Sequence, residues 1–197
     1  MSIESNWGWA TFSSGHRWAG LGVVACSILV LLVAPVAASV LLSVDEALKL
    51  AFPDCDVHRH SVFLTEAEMS AASELAGHPR SRALVIRYVA VRDDERSGTA
   101  YFDTHRVRTL DETIMVVVKP DGTIGRIEVV SFSEPPDYLP REGWYRQFDG
   151  RVLDDELELD RGIRAVTGAT LTANATTSTA RRVLAVHEVI EGRSDEP

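Results

Sequence analysis

Clustered basic residues are missing from this chain, and cysteine is nearly so. Lys and Arg number 20 against 29 Asp and Glu, a net charge of −9. Residues 1–44 hold only Glu4 and Arg17, which cancel, so the whole −9 falls on residues 45–197. An acidic segment without a basic stripe is a poor partner for nucleic acid. The two cysteines are Cys26, inside an apolar run, and Cys55, alone in the remainder, so no intramolecular disulfide is open to that remainder. There is no P-loop, no GxGxxG, no Ser-His-Asp order and no paired-carboxylate motif, which leaves independent hydrolase or nucleotide-transfer chemistry without residues to carry it. Internal repeats are absent as well.

What is present first is an uncharged stretch. From Trp18 to Val44 no residue carries a charge, and GLGVVACSILVLLVAPVAASVLL is nearly all apolar. A helix of roughly 20 apolar residues crosses a bilayer. APVAAS offers a small-residue cleavage site, but the apolar core is longer than the about 7–15 residues of a signal peptide, so an uncleaved anchor is expected. Arg17 before the span, with Asp45 and Glu46 after it, predicts an inside N-terminus and an extracytoplasmic domain. The expected layout is a short tail over 1–17, a transmembrane helix over 18–44, and one domain over 45–197.

Within that domain the pattern predicts an α+β class, an antiparallel sheet with packed helices. VDEALKLAFP reads as a short amphipathic helix ended by Pro53, and CDVHRHSVFL as a strand. TEAEMSAASELAG has capping-box spacing at Thr65 and Glu68, with Gly77 as its stop. RALVIRYVAVR and GTAYFDTHRV read as strands about a DDERSG turn, and ETIMVVVKPDGTIGRIEVVSF as a hairpin turning at PDG. A proline-rich loop and a short helix near Trp144 to Phe148 follow. RVLDDELELDRGIRAV is expected to hold another strand. Beyond Thr172, Ala175, Thr179, Val183, Val186 and Ile190 recur at helical spacing.

Candidate chemistry concentrates in AVTGATLTANATTSTARR, residues 165–182, which holds six threonines and one serine. TGAT, Thr167–Thr170, places a glycine and small side chains just ahead of the last helix. A helix N-terminus offers unpaired N–H groups and partial positive charge to a phosphate, and a threonine hydroxyl there could carry a phosphoester. The same residues also suit an ordinary N-cap with a glycine turn. Cys55, Asp56, His58 and His60 in CDVHRH are metal-ligand types, but alternating polar residues on an exposed strand give the same string. DTHRVRTLDET is either an anion site or a charged edge strand.

TGATLT followed by a helix resembles the FMN-binding domain of flavin subunits in the sodium-translocating NADH:quinone oxidoreductase and its ferredoxin-linked relatives. SFSEPPDYLPREGWYRQFDG, from Ser131, is similar to the family segment with an acid-Thr-Pro-Gly core followed by Trp and Phe. Glu134 fits the acid, Pro136 the proline, and Trp144 and Phe148 the aromatics, while Asp137 replaces the glycine. Together with the hairpin, the likeness covers roughly residues 85–190. It implies FMN joined by its phosphate to Thr170 through a separate flavin transferase. Thr167, Gly168 and Ala169 would form the recognition turn, Leu171 and Thr172 the helix start, and Glu134 and Pro136 part of the flavin wall. Arg164 stands where the transferase motif usually has Asp. The implied role is a membrane-anchored electron carrier working with a membrane redox partner such as a quinone oxidoreductase or another flavoprotein. The alternative is an anchored binding or sensor domain on the same fold without redox flavin.

Overall fold

The computed structural model describes residues 39–79 and 81–193. Six antiparallel strands form one sheet in the order β1-β6-β5-β4-β3-β2. Their ranges are β1 Ser39–Val40, β2 Asp56–Phe63, β3 Leu84–Arg92, β4 Glu95–Arg106, β5 Asp111–Val118 and β6 Ile124–Phe132. The helices are α1 Val44–Ala51, α2 Glu66–Ala76, the single-turn α3 Glu142–Tyr145, and α4 Thr170–Gly192. The α+β class is therefore as expected.

The apolar span does not run to Val44. Ser39 and Val40 pair with Phe132 and Ser131, the Leu41 and Leu42 N–H groups donate to Val130 O, and Ser43 caps α1. Ser43 and Glu46 form a reciprocal capping box, which commits the chain to α1 from that point. Residues 1–17 and the rest of the predicted span, 18–38, lie outside the described residues. Among the described residues no helix is long and apolar enough to cross a membrane.

The sheet has a core on each face. On one, α1 places Ala47, Leu48 and Phe52 against Ala90, Ala100, Met115, Val117 and Val130. Gly98 allows this: a Cβ there would stand 3.0 Å from both the Phe52 ring and Val118 O. On the other face α2, α3 and α4 cover Ile114, Val116, Val118, Ile124 and Ile127. The run Ile-Met-Val-Val-Val in β5 lacks polar alternation because both of its faces are covered.

Local signals place several boundaries. Thr65 and Glu68 make the expected capping box, and Gly77 ends α2 at φ 70°. The β3–β4 turn is tighter than DDERSG suggests. Asp93 and Asp94 alone make it, both left-handed at φ 52° and 62°, and Glu95 already belongs to β4.

The strand expected in RVLDDELELDRGIRAV does not form; it holds only an isolated Leu159–Ile163 bridge. Local turns win instead. The Asp154 carboxylate accepts the Glu156 and Leu157 N–H groups, Gly162 N–H donates to Glu156 O, and Arg181 of α4 donates to Asp154 O and Leu157 O. Leu157 and Ile163, both fully buried, fasten the loop to the core.

Candidate functional site

α4 begins at Thr170, two residues earlier than its apolar spacing suggests. The residue before it, Ala169, is the N-cap and has no side chain to cap with, so no threonine of TGAT serves as an ordinary N-cap. The chain enters through Gly168, at φ +86°, where a Cβ would meet nothing within 4 Å. The first N–H groups of a helix have no intrahelical acceptor, and at this end no side chain supplies one. Those donors lie together at the positive end of a 23-residue helix.

Thr170 is exposed and donates its hydroxyl hydrogen to Val166 O at 3.2 Å, which leaves the oxygen lone pairs free. Thr167, Gly168 and Leu171 are exposed beside it, whereas Ala169 is buried. Thr172 points inward, fully buried, and donates to Tyr138 O at 2.6 Å. That bond ties the first turn of α4 to the segment after β6, where Pro136 opens a 3-10 turn over Pro136–Tyr138.

Glu134 is buried at the start of that segment, and one oxygen, Oε1, gathers the β4–β5 loop. It accepts from the N–H groups of Thr109 at 2.7 Å, Leu110 at 2.8 Å and Arg108 at 3.3 Å, and from the Thr109 hydroxyl at 3.2 Å. The Thr109 and Leu110 amides hold the Glu134 carboxyl below its ordinary range. The Arg108 guanidinium lies 5.0 Å over the Tyr138 ring. Glu134 is thus placed as an anchor between two loops.

Trp144 and Phe148 are buried and pack edge-to-face, with ring centres 5.2 Å apart. Trp144 Nε1 donates to Arg164 O at 2.7 Å and Arg164 N–H donates to Gln147 Oε1 at 3.0 Å, so the chain leading into TGAT is held on both sides. The Arg164 side chain is exposed. The start of α4 is therefore bonded to the Pro136–Tyr138 turn through Thr172, and the chain entering it is bonded to Trp144, which packs on Phe148.

The other sequence candidates lie elsewhere. His58 and His60 are exposed on β2, the edge strand, and Cys55 precedes it with its thiol toward Pro53 O. Among the described residues no three His, Cys, Asp or Glu side chains gather as metal ligands. DTHRVRTLDET forms the tip of the β4–β5 hairpin; its β4 part, beyond the last β3 pair at Tyr101, is bonded to β5 alone and is an edge on the β3 side. Its inward side chains enter a buried network that sequence reasoning missed. His105 Nε2 lies 3.0 Å from Glu112 Oε2 and Nδ1 lies 3.2 Å from Asp103 Oδ1, with Thr179 Oγ1 also 3.1 Å from Nδ1. Burial alone would push the His105 imidazole down, but the two carboxylates outweigh it and raise its pKa. The sequence signal was the alternation Asp-Thr-His, which sets Asp103 and His105 on one face of β4.

The uncapped helix amides and the left-handed glycine turn suit a phosphate group, and the Thr170 oxygen beside them has lone pairs free to form an ester. No curated protein matches the chain. Residues 111–185, from the first residue of β5 to the middle of α4, match the FMN-binding domain family. That match supports FMN as the cofactor.

Proposed function

We propose that this protein is a membrane-anchored flavoprotein that carries electrons on the extracytoplasmic side of a membrane, with FMN joined by a phosphoester to Thr170. The observation that carries the reading is the exposed hydroxyl of Thr170 at the first position of a long helix whose N-terminus no side chain caps. FMN supplies one- and two-electron redox chemistry when bound. The chain's own contribution is binding and orientation. The α4 amides and the Gly168 turn would hold the phosphate. Thr170 Oγ1, losing its proton, would form the new P–O bond as the P–O bond to the leaving group of the transferase's flavin donor breaks, a net loss of one water relative to threonine and FMN. The segment Glu134–Leu139, stiffened by Pro135 and Pro136 and tied to α4 by Thr172, would provide a preformed wall. Trp144 and Phe148 would act from behind as supports.

An uncharged apolar run before residue 39 supports the anchor, and Arg17 ahead of it, with Asp45 and Glu46 after it, supports the outward placement. A flavin transferase would load the cofactor, and the partner would be a membrane redox protein such as a quinone oxidoreductase or another flavoprotein. Arg164, at the position where the transferase motif has Asp, favours a second reading in which FMN is held by the same residues without the ester.

The test is co-expression of the full chain with a flavin transferase in an oxidising compartment, followed by a denaturing gel. Fluorescence that survives denaturation in the parent and disappears in Thr170→Val is the expected result. A fluorescent Thr170→Val band would sink the assignment of the acceptor.

A further inference from the structure

Beneath α4 lies a cluster of polar side chains that holding FMN does not require. His105 and Glu112 are cross-strand partners on the inner face of β4 and β5. Glu112 is fully buried, an expensive place for a carboxylate unless a compensating charge and hydrogen bonds reach it. Its Oε2 is bonded to His105, and His105 is bonded in turn to Asp103. Arg182 donates to Asp103 Oδ1 at 3.3 Å and to Thr179 Oγ1 at 2.6 Å. Two carboxylates and one guanidinium leave the group one positive charge short of neutrality, and an imidazolium supplies it.

Both ends of this chain of bonds are distinctive. At the outer end, β3–β4 pairing stops at Arg87 and Tyr101 although both strands continue. A cleft of about 320 Å³ opens there, with Asp103, His105 and Arg182 in its wall. At the inner end three enclosed oxygens have no partner in the protein: Glu112 Oε1, the Tyr145 hydroxyl and Thr176 Oγ1. Tyr145 is near enough to Glu112 for the carboxylate charge to push its phenol further up, beyond the effect of burial. Thr176 lies on the same face of α4 as Thr179, which contacts His105. Leaving such a group unsatisfied costs the full desolvation of that group, and buried polar groups of this kind are normally bridged by internal water.

We propose that His105 and Glu112 form a buried proton-exchange pair, open to solvent through the Asp103–Arg182 cleft and bonded on its inner side to an internal water held by Glu112 Oε1, Tyr145 and Thr176. The pair holds one exchangeable proton. The imidazolium donates Nε2–H to Glu112 and Nδ1–H to Asp103. Transfer of the Nε2 proton to Glu112 Oε2 leaves a neutral imidazole and a neutral carboxylic acid, and its return restores the imidazolium; the Nδ1 proton, on the Asp103 side, is the one that exchanges with solvent in the cleft. The charged and titratable groups facing the pair are Asp103 on β4, Arg182 on α4, Tyr145 on α3 and Arg82 at the mouth of the cleft. Thr176 stands one helical turn from Thr172, whose hydroxyl bonds the Tyr138 segment. On the flavin reading proposed above, Thr176 at the inner end of the pair therefore lies on the cofactor's helix, one turn along from Thr172.

The test is nitrogen-15 NMR of the His105 ring in the full chain without flavin, followed through pH 5 to 9. The wild type is expected to titrate above the ordinary value of about 6.5, and Glu112→Gln to bring it back toward or below that value. A wild-type His105 titrating at or below about 6.5 overturns the proposal without any variant, as does an unchanged titration in a folded Glu112→Gln protein. Proton-detected exchange from a long-lived water to the Thr176 hydroxyl is expected in the wild type and should weaken in Tyr145→Phe, which keeps that reporter; its absence from the wild type overturns the inner half. These measurements need no FMN, so a protein that fails to bind flavin refutes the function proposed above and leaves this inference to be decided on its own.

Discussion

His187 offers a quantitative test of the packing beneath α4. Its side chain is buried against the sheet, with Nδ1 2.9 Å from the Tyr101 hydroxyl and the two rings edge-to-face. Burial pushes the imidazole from 6.5 down to about 4, and the nearby Arg96 and Arg87 add to the effect against the opposing charge of Glu191. The folded protein thus binds this proton more weakly than the unfolded chain does. Its contribution to stability is full above about pH 6.5 and is lost as pH falls toward 4. At about 1.4 kcal/mol per pKa unit the full loss is about 3 kcal/mol, of which about 2 kcal/mol falls between pH 7 and 5. His105 works in the opposite sense. Its raised pKa gives stability that is full below about 6.5 and fades as pH rises through the folded value. A raw pH curve therefore mixes two signs, and the informative quantity is a difference. His187→Gln keeps an acceptor for the Tyr101 hydroxyl and cannot titrate. Urea unfolding of parent and variant at pH 7 and pH 5 should show the parent losing about 2 kcal/mol more than the variant. Parallel losses in the two proteins would refute a buried neutral His187.

Three further outcomes concern the candidate site. Gly168→Ala puts a side chain at φ +86° in open space, so the cost is backbone strain alone, about 1 kcal/mol in urea unfolding; no loss would mean that the turn does not need its left-handed geometry. Thr172→Val removes the donor to Tyr138 O and should cost about 1 kcal/mol, with faster hydrogen exchange over Tyr138 and Leu139 as the local signature. Glu134→Gln weakens the charged acceptor that gathers the β4–β5 loop, so the Thr109 and Leu110 amides should exchange faster while those of β5 stay protected.

The sequence carries the elements whose signals are local. Thr65 with Glu68, Gly77, the PDG hairpin and the apolar run of β5 each state their structure within a few residues, and the structure agrees. The helix start at TGAT is also visible, to within two positions, because Gly168 and the small residues around it mark a turn. Long-range partners are invisible. Nothing near residue 112 announces that Glu112 faces His105, Tyr145 and α4, and nothing in RVLDDELELDRGIRAV announces that Arg181 will hold it as a loop. Val40 to Leu42 read as membrane-spanning because apolar content cannot distinguish a bilayer from the sheet edge and α1 core that they join. The buried threonines of α4 do form a small face, but the bonds of Thr172 to Tyr138 and of Thr179 to His105 follow from tertiary packing, while Thr177 bonds back to Ala173 O within the helix.

The central claim is that the start of α4 holds the phosphate of FMN at Thr170. Intact-mass measurement of the full chain, purified after co-expression with a flavin transferase, tests it most directly. The account predicts a gain of one FMN less one water, located by fragmentation to the peptide containing Thr170 and absent from Thr170→Val. A folded protein that carries no flavin, either covalently or in a form released by denaturation, would contradict it.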